Sequence, residues 1–150
     1  GMEHVPSNMT MPMGNRDYKI IKDKSGYFVV PWEVLREFDS KTKKLTANLK
    51  KVVDNDILIK GFMIPLDYSA KKISEFLLVP YMPSCMHVPP PPPNMTVHVR
   101  TKSSKGIKPS YYPVEVKGRL RFSNESPSGD PMVPTGVYML LSTEVKEMAF

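Results

Sequence analysis

The chain has 150 residues, 41% hydrophobic and 24% charged, so it is long enough for one domain with its own core and too short for two large ones. Its 16 prolines are about twice the usual share of roughly 5% and argue against a helical bundle, because proline removes a backbone donor from a helix interior. The single cysteine excludes a disulfide within the chain. No apolar run approaches the roughly 20 residues of a membrane-spanning helix. The net charge of +6 permits polyanion binding but specifies no partner.

The N-terminal residues 1–16 show no apolar periodicity and are predicted to form a flexible arm, followed by a single β-barrel domain over residues 17–150. Gly1 before Met2 is typical of an expression remnant, so we expect a native leader upstream. The arm carries a methionine cluster with a spacing that could hold copper(I), formed by His4, Met9, Met11 and Met13. A disordered arm without this role is the favoured interpretation, because ordering it costs entropy.

Two short helices are predicted next. Pro31 at a first-turn position, with Trp32, Leu35 and Phe38 at intervals of three, predicts a helix with one buried face. A second helix is predicted from apolar residues at i, i+4, i+7 and i+8, namely Leu45, Leu49, Val52 and Val53.

Five apolar runs then predict strands, in residues 57–66, 73–81, 94–101, 113–123 and 136–147. Gly61 and Pro65 in the first run predict a bulge or bend. Because five bent strands in a flat sheet would expose their edges, closure is favoured. The predicted fold is mainly β, a small, partly open five-stranded Greek-key barrel of the oligonucleotide/oligosaccharide-binding (OB) type, with one or two short N-terminal helices as a cap. A two-sheet sandwich is the alternative.

The most unusual segment runs from Cys85 through His87 into five consecutive prolines and Asn94. On an extended chain Cys85 and His87 point to the same side, which makes half of a zinc or copper site or a Cys–His reactive pair. Candidates for the missing ligands are Glu75, Asp67, His98 and His4. The alternative is a buried Cys85 and a His87 that hydrogen-bonds the backbone.

Four stretches, 61–67, 75–81, 85–94 and 114–120, resemble the bacterial family of unknown function DUF3299, and the Cys-x-His-polyproline-Asn element is the specific part. The similarity covers roughly residues 30–147 and departs at Met95, where a glutamine is expected. The resemblance implies an exported or lipid-anchored envelope protein, periplasmic or attached to the outer envelope, of a kind often encoded beside transporter components. It implies no enzymatic activity. It singles out Cys85, His87, Pro89, Pro90, Pro91, Pro92 and Asn94.

One strand face is basic. Lys117, Arg119 and Arg121, together with Tyr111 and Tyr112, resemble the surfaces with which OB barrels bind single-stranded nucleic acid. A solvated outer face is the favoured alternative, because alternating charge on a strand face is ordinary. No Gly-rich phosphate loop, paired-carboxylate motif or Ser-His-Asp order is visible, so no enzyme is predicted.

The ligand types and the proline run predict that Cys85 and His87 hold a metal ion, zinc, and the family resemblance implies that they do so in a non-enzymatic envelope protein that supports a transport system. Glu75, Asp67 and His98 are weaker candidate ligands. A nucleic-acid or polyanion-binding module, and a structural or interaction protein without metal, remain as alternatives. The loop 82–94 is predicted to be rigid, with the Asn94 amide bonding a backbone group.

Overall fold

The structure is a computed structural model that describes residues 20–39, 41–67, 69–82, 91–102, 106–123 and 137–148. It contains seven strands, two α-helices and one 3-10 helix within these ranges. In chain order they are β1 (Ile21–Lys22), β2 (Phe28–Val29), α1 (Trp32–Arg36), α2 (Ala47–Val52), β3 (Asp56–Pro65), β4 (Glu75–Val79), the 3-10 helix Pro93–Met95, β5 (Val97–Thr101), β6 (Val114–Phe122) and β7 (Tyr138–Glu147). Neither α-helix in the described ranges has the length and apolar character needed to cross a bilayer.

Five of the strands close into a barrel. β3 pairs with β4, β4 with β5, β5 with β7, β7 with β6, and β6 pairs back with β3. The β5–β7 pair is parallel and the other four are antiparallel. The predicted five-stranded OB-type barrel is therefore confirmed against a sandwich, and the β3–β6 pairing closes the ring that was expected to be partly open.

β3, the first strand of the barrel, pairs with two strands along its length. Its residues 56–61 pair with β6 and its residues 62–65 pair with β4. The exchange falls at Gly61, where a Cβ would lie 2.6 Å from the carbonyl oxygen of Val79. A side chain at this position would push β4 away, so glycine is what lets one strand belong to both sides of the barrel. Neither pairing of β3 shows a register shift, so the glycine serves a close approach of strands and not the bulge that was predicted as one possibility.

The core fills the barrel from alternate positions of each strand. In β6, Val116 and Leu120 are fully buried while Arg119 and Arg121 are exposed, as the alternation predicts. In β7, Tyr138 and Leu140 face inward. The outward positions of these strands are consequently free to carry charge.

The helix α1 is joined to the barrel by three polar side chains, Trp32, Asn94 and Tyr138, which we call the α1 clasp. Trp32 Nε1 donates to the Lys60 carbonyl at 2.7 Å, and the Tyr138 hydroxyl donates to the Leu35 carbonyl at 2.6 Å. The Asn94 amide donates to the carbonyls of Arg36 and Phe38, both at 3.1 Å. The last carbonyls of a helix have no partner within the helix, so Tyr138 and Asn94 add donors at the end of α1, where the Leu35 carbonyl also accepts from the Phe38 N–H at 3.3 Å.

Two strands were not predicted, β1 and β2. They form an antiparallel hairpin, and β2 joins β3 in parallel. Asp23 closes the turn between them, because its Oδ1 accepts from the backbone N–H groups of Ser25 and Tyr27, each at 2.9 Å. These bonds, the one from Tyr27 above all, lower the pKa of Asp23. Two-residue strands are too short to show an alternating pattern.

Candidate functional site

The outer side of β4 and β5 carries Glu75, His98 and Arg100, which we call the His98 cluster. Glu75 lies opposite Arg100 in the register, and Leu77 lies opposite His98. Val97 and Val99 belong to the barrel core, so His98 between them faces outward, yet it is only 1% exposed. Glu75 contacts both neighbours: Oε2 lies 3.4 Å from His98 Nε2, and Oε1 accepts from Arg100 Nε at 2.9 Å.

The imidazole of His98 is buried and poorly satisfied. Burial lowers its pKa, the nearby Glu75 carboxylate partly offsets this by raising the pKa, and the Arg100 charge lowers it further. The ring is therefore neutral near pH 7. Within the part of the chain that the structure describes, neither ring nitrogen makes a hydrogen bond of good geometry, since Nε2 only approaches Glu75 and Nδ1 has no partner. Such nitrogens are uncommon in protein interiors and call for an explanation.

The structure brings two of the predicted metal ligands together, Glu75 and His98. Asp67 lies in the turn after β3, where its Oδ1 accepts from the Ser69 N–H at 3.0 Å and the Ser69 hydroxyl at 2.6 Å, bonds that lower its pKa. Among the described residues there is no group of three or more His, Cys, Asp or Glu side chains able to hold a metal ion. Several predicted participants lie outside the described residues: Cys85, His87, Pro89 and Pro90 of the loop, and His4, Met9, Met11 and Met13 of the arm.

The structure describes the end of the proline run and Asn94, whose amide was predicted to bond a backbone group. Its amide bonds two backbone carbonyls, which confirms that expectation. Pro92 precedes the 3-10 helix, and its carbonyl accepts from the Thr96 hydroxyl at 3.2 Å. The predicted third strand consequently begins at Val97, because residues 93–95 turn. Met95, where a glutamine was expected, is 1% exposed and packs in the core.

The basic face of β6 is present but differs from its prediction. Lys117 Nζ lies 3.6 Å from Asp23 Oδ2, 3.9 Å from Glu144 Oε2 and 5.4 Å from the centre of the Tyr27 ring. Tyr111 and Tyr112 precede β6, so they lie at the far end of the strand from Arg121, which stands about 23 Å from Val114 at 3.3 Å per residue. The ring that the structure places against Lys117 is that of Tyr27, from the turn between β1 and β2, which the sequence did not indicate.

Side chains missed by sequence reasoning line an open groove of about 440 Å³ beside this basic face. Its lining consists of Lys102, Tyr27, Thr143, Leu141, Arg119, Arg121 and one carboxylate, that of Asp56. No local pattern marks these residues, since they come from separate elements and meet only through strand pairing. Glu33 on α1 was also missed: it is 5% exposed, and neither carboxylate oxygen has a hydrogen-bond partner within the described ranges.

Comparison with known proteins identifies one family. The profile described as "Protein of unknown function (DUF3299)" matches residues 16–147. A crystal structure of a DUF3299 family protein from Pseudomonas aeruginosa is 32% identical, with a TM-score of 0.54, and the similarity covers 67% of this chain and 66% of that one. A "putative aspartyl-tRNA synthetase" from Leishmania major is 12% identical over 95% of this chain and 25% of its own, and its TM-score of 0.45 is too low to support an argument. None of the functionally curated proteins matches.

Proposed function

Because this chain belongs to the DUF3299 family, whose function is unknown, we propose a role from its own side chains: a non-enzymatic protein of the bacterial envelope that holds a transition metal ion in support of a transport system. Zinc is the proposed metal, and Cys85, His87 and His98 are the proposed ligands. The observation that carries this proposal is the buried imidazole of His98, which has a carboxylate against one ring nitrogen and, among the residues that the structure describes, no partner on the other.

The His98 cluster has the features of a metal-binding histidine. Such a histidine usually donates the N–H of one ring nitrogen to a carboxylate, which orients the ring and leaves the other nitrogen to coordinate. Glu75 lies against Nε2, where its carboxylate can accept the N–H and orient the ring. Nδ1 is then the nitrogen that can coordinate the metal. A buried neutral imidazole also needs no deprotonation before it binds a metal.

The chain connectivity links His98 to the predicted ligands. Residues 80–96 join β4 to β5, and this connection contains Cys85 and His87. Glu75 begins β4 and His98 is the second residue of β5, so the paired side chains stand on the two strands that the connection joins. One thiolate and two imidazoles form a donor set that suits zinc, with the fourth position left for water or a carboxylate.

Cobalt(II) titration of the metal-free protein tests the proposal, because a thiolate bound to cobalt gives a charge-transfer band. We expect one cobalt ion per chain, a band that Cys85→Ser abolishes, and at least about tenfold weaker binding in His98→Gln. Tyr111→Gln is the control: it changes a side chain that is 83% exposed and outside the proposed ligand set, and it should bind as the wild type does. The absence of a charge-transfer band in the wild type would refute the metal site, and wild-type affinity in His98→Gln would remove His98 from it.

Fractionation of cells that make the protein from its native gene tests the envelope role. We expect the protein in the periplasmic or membrane fraction. Recovery with the cytosolic markers would refute this part of the proposal and leave the metal titration to be judged separately.

A further inference from the structure

The outer side of β7 forms the floor of a trough with a cationic wall on each side. Leu141 lies opposite Arg100 of β5 and also opposite Arg119 of β6. Residues directly opposite each other share a face of the sheet, and the full burial of Leu140 places Leu141 and its partners outside the barrel. Two strand spacings separate the walls, which is about 10 Å between their Cα atoms. Side chains as long as arginine can therefore converge over Leu141.

A bulge at one end shapes this floor. The pairing of β6 with β7 shifts between Lys117 and Gly118, so that Thr143 is the extra residue. A Cβ at Gly118 would overlap the carbonyl oxygen of Leu141, so glycine is required for the close approach. Thr143 is exposed and borders the groove of about 440 Å³, and its hydroxyl lies 3.5 Å from that of Tyr27.

The cations of the trough are not equally neutralised. Arg119 has Asp56 at 3.4 Å, and Arg100 has Glu75 at 2.9 Å, each on the side away from β7. In the described part of the chain, Lys102 and Arg121 are exposed and have no carboxylate within ion-pair distance. Asp56 and Arg119 both line the groove as an ion pair, whereas Arg100 stands outside its lining. Within the described ranges, Lys102 and Arg121 are therefore the two positive charges of the groove that no carboxylate neutralises.

We propose that this trough, formed by Lys102, Arg119, Arg121, Leu141, Thr143 and Tyr27, binds a small organic ligand that carries a diphosphate group. The planar guanidinium matches the paired oxygens of a phosphoryl group, and a diphosphate matches the uncompensated charge. The volume suits a ligand of nucleotide size, whose remainder would rest on Leu141 and Tyr27.

A single-stranded nucleic acid fits this trough less well. Binding of a strand relies on several aromatic side chains that stack successive bases. Tyr27 is the one aromatic side chain among the described residues that line the groove, and Tyr111 and Tyr112 are remote from it. None of the six trough residues belongs to the proposed metal site, so the two sites can be tested independently.

Calorimetric titration in chelator-treated buffer at about 50 mM salt tests the proposal with pyrophosphate, ADP, adenosine and oligothymidylate as probes. We expect pyrophosphate and ADP to bind with submillimolar dissociation constants and adenosine not to bind. Arg121→Gln should weaken both by at least about tenfold, as loss of a charged hydrogen bond predicts. Lys44→Gln is the matched control, because it makes the same charge change at an exposed site away from the groove.

Three results would overturn the proposal. They are an absence of heat with both phosphate probes up to about 1 mM, equal weakening by Arg121→Gln and Lys44→Gln, and binding of oligothymidylate that is tighter than that of ADP and depends on Arg121. The last would assign the trough to nucleic acid. Should Arg121→Gln fail to fold, as judged by circular dichroism, Lys102→Gln makes the same test from the other wall.

Discussion

The α1 clasp and the His98 cluster both include residues of the stretch 91–101. They differ in whether their buried polar atoms have hydrogen-bond partners. In the clasp, the polar groups of Trp32, Asn94 and Tyr138 each donate to a backbone carbonyl. In the cluster, His98 Nδ1 is buried with no partner in the described structure. A satisfied buried group stabilises a fold and an unsatisfied one destabilises it. The first region is thus a structural joint, and the second is retained at a cost that a ligand would explain.

The largest effect is expected for the most buried bond of the clasp. Tyr138→Phe keeps the ring, which packs at 5.6 Å from Phe122 and 6.4 Å from Phe38, but removes the donor to the Leu35 carbonyl. We expect a loss of about 2 kcal/mol in the free energy of unfolding, measured by urea denaturation. Tyr111→Phe is the matched control: at 83% exposure it should change stability by less than about 0.5 kcal/mol. Equal effects from the two variants would refute the clasp as a structural joint.

A smaller loss is expected for Asn94→Ala, because the amide is half-buried and water can replace part of its bonding. We expect about 1 kcal/mol by the same measurement. Asn94→Asp should be worse than Asn94→Ala, since a carboxylate would then face two carbonyl oxygens that need donors. If aspartate is tolerated as well as asparagine, the amide does not hold α1.

The clasp shows how much of the fold the sequence could predict. The spacing of Trp32, Leu35 and Phe38 predicted α1 and its buried face, and the proline run predicted that Asn94 would bond the backbone. Each of these two signals is local, because the residues that form it lie within a few positions of one another in the sequence. The backbone carbonyls that accept from Trp32 and Asn94 are 28 and 56 or 58 residues away, so only the folded chain identifies them.

The His98 cluster shows where prediction stopped. Residue type selected Glu75 and His98 as possible ligands, and strand pairing brings them together. The alternation in β5 set His98 on the face opposite Val97 and Val99, a face that is solvated in an ordinary antiparallel pair. Its 1% exposure was therefore invisible in the sequence, because burial of an outer face depends on what packs against it. The trough was missed for a related reason, since Lys102 and Arg121 become neighbours only through β7.

We expect His98→Leu to change the free energy of unfolding in the direction opposite to that of the two clasp variants. Replacing a buried, poorly satisfied imidazole by an apolar side chain removes the unpaired nitrogens, so the free energy of unfolding should stay unchanged or rise by up to about 1 kcal/mol in metal-free buffer. Urea denaturation in the presence of a chelator measures it. A loss larger than about 1 kcal/mol would show that the contact with Glu75 stabilises the fold, and the contrast between the two regions would fail.

The smallest expected effect is a change of stability with pH, which arises from the His98 imidazole. Burial holds the pKa of His98 below its ordinary value of 6.5, so on acidification the unfolded chain takes up this proton first. The free energy of unfolding therefore has its full value, as far as this proton is concerned, above pH 6.5. It decreases as the pH falls toward the lowered pKa of the folded protein. Asp23 and Asp67 also have lowered pKa values, but their contributions are lost only below their ordinary value of 3.8. Between about pH 7.5 and 5.5, metal-free wild-type protein should thus lose more stability than His98→Leu. If the wild type instead gains stability relative to His98→Leu, the imidazolium pairs with Glu75 strongly enough to outweigh burial, and His98 is a structural ion-pair partner.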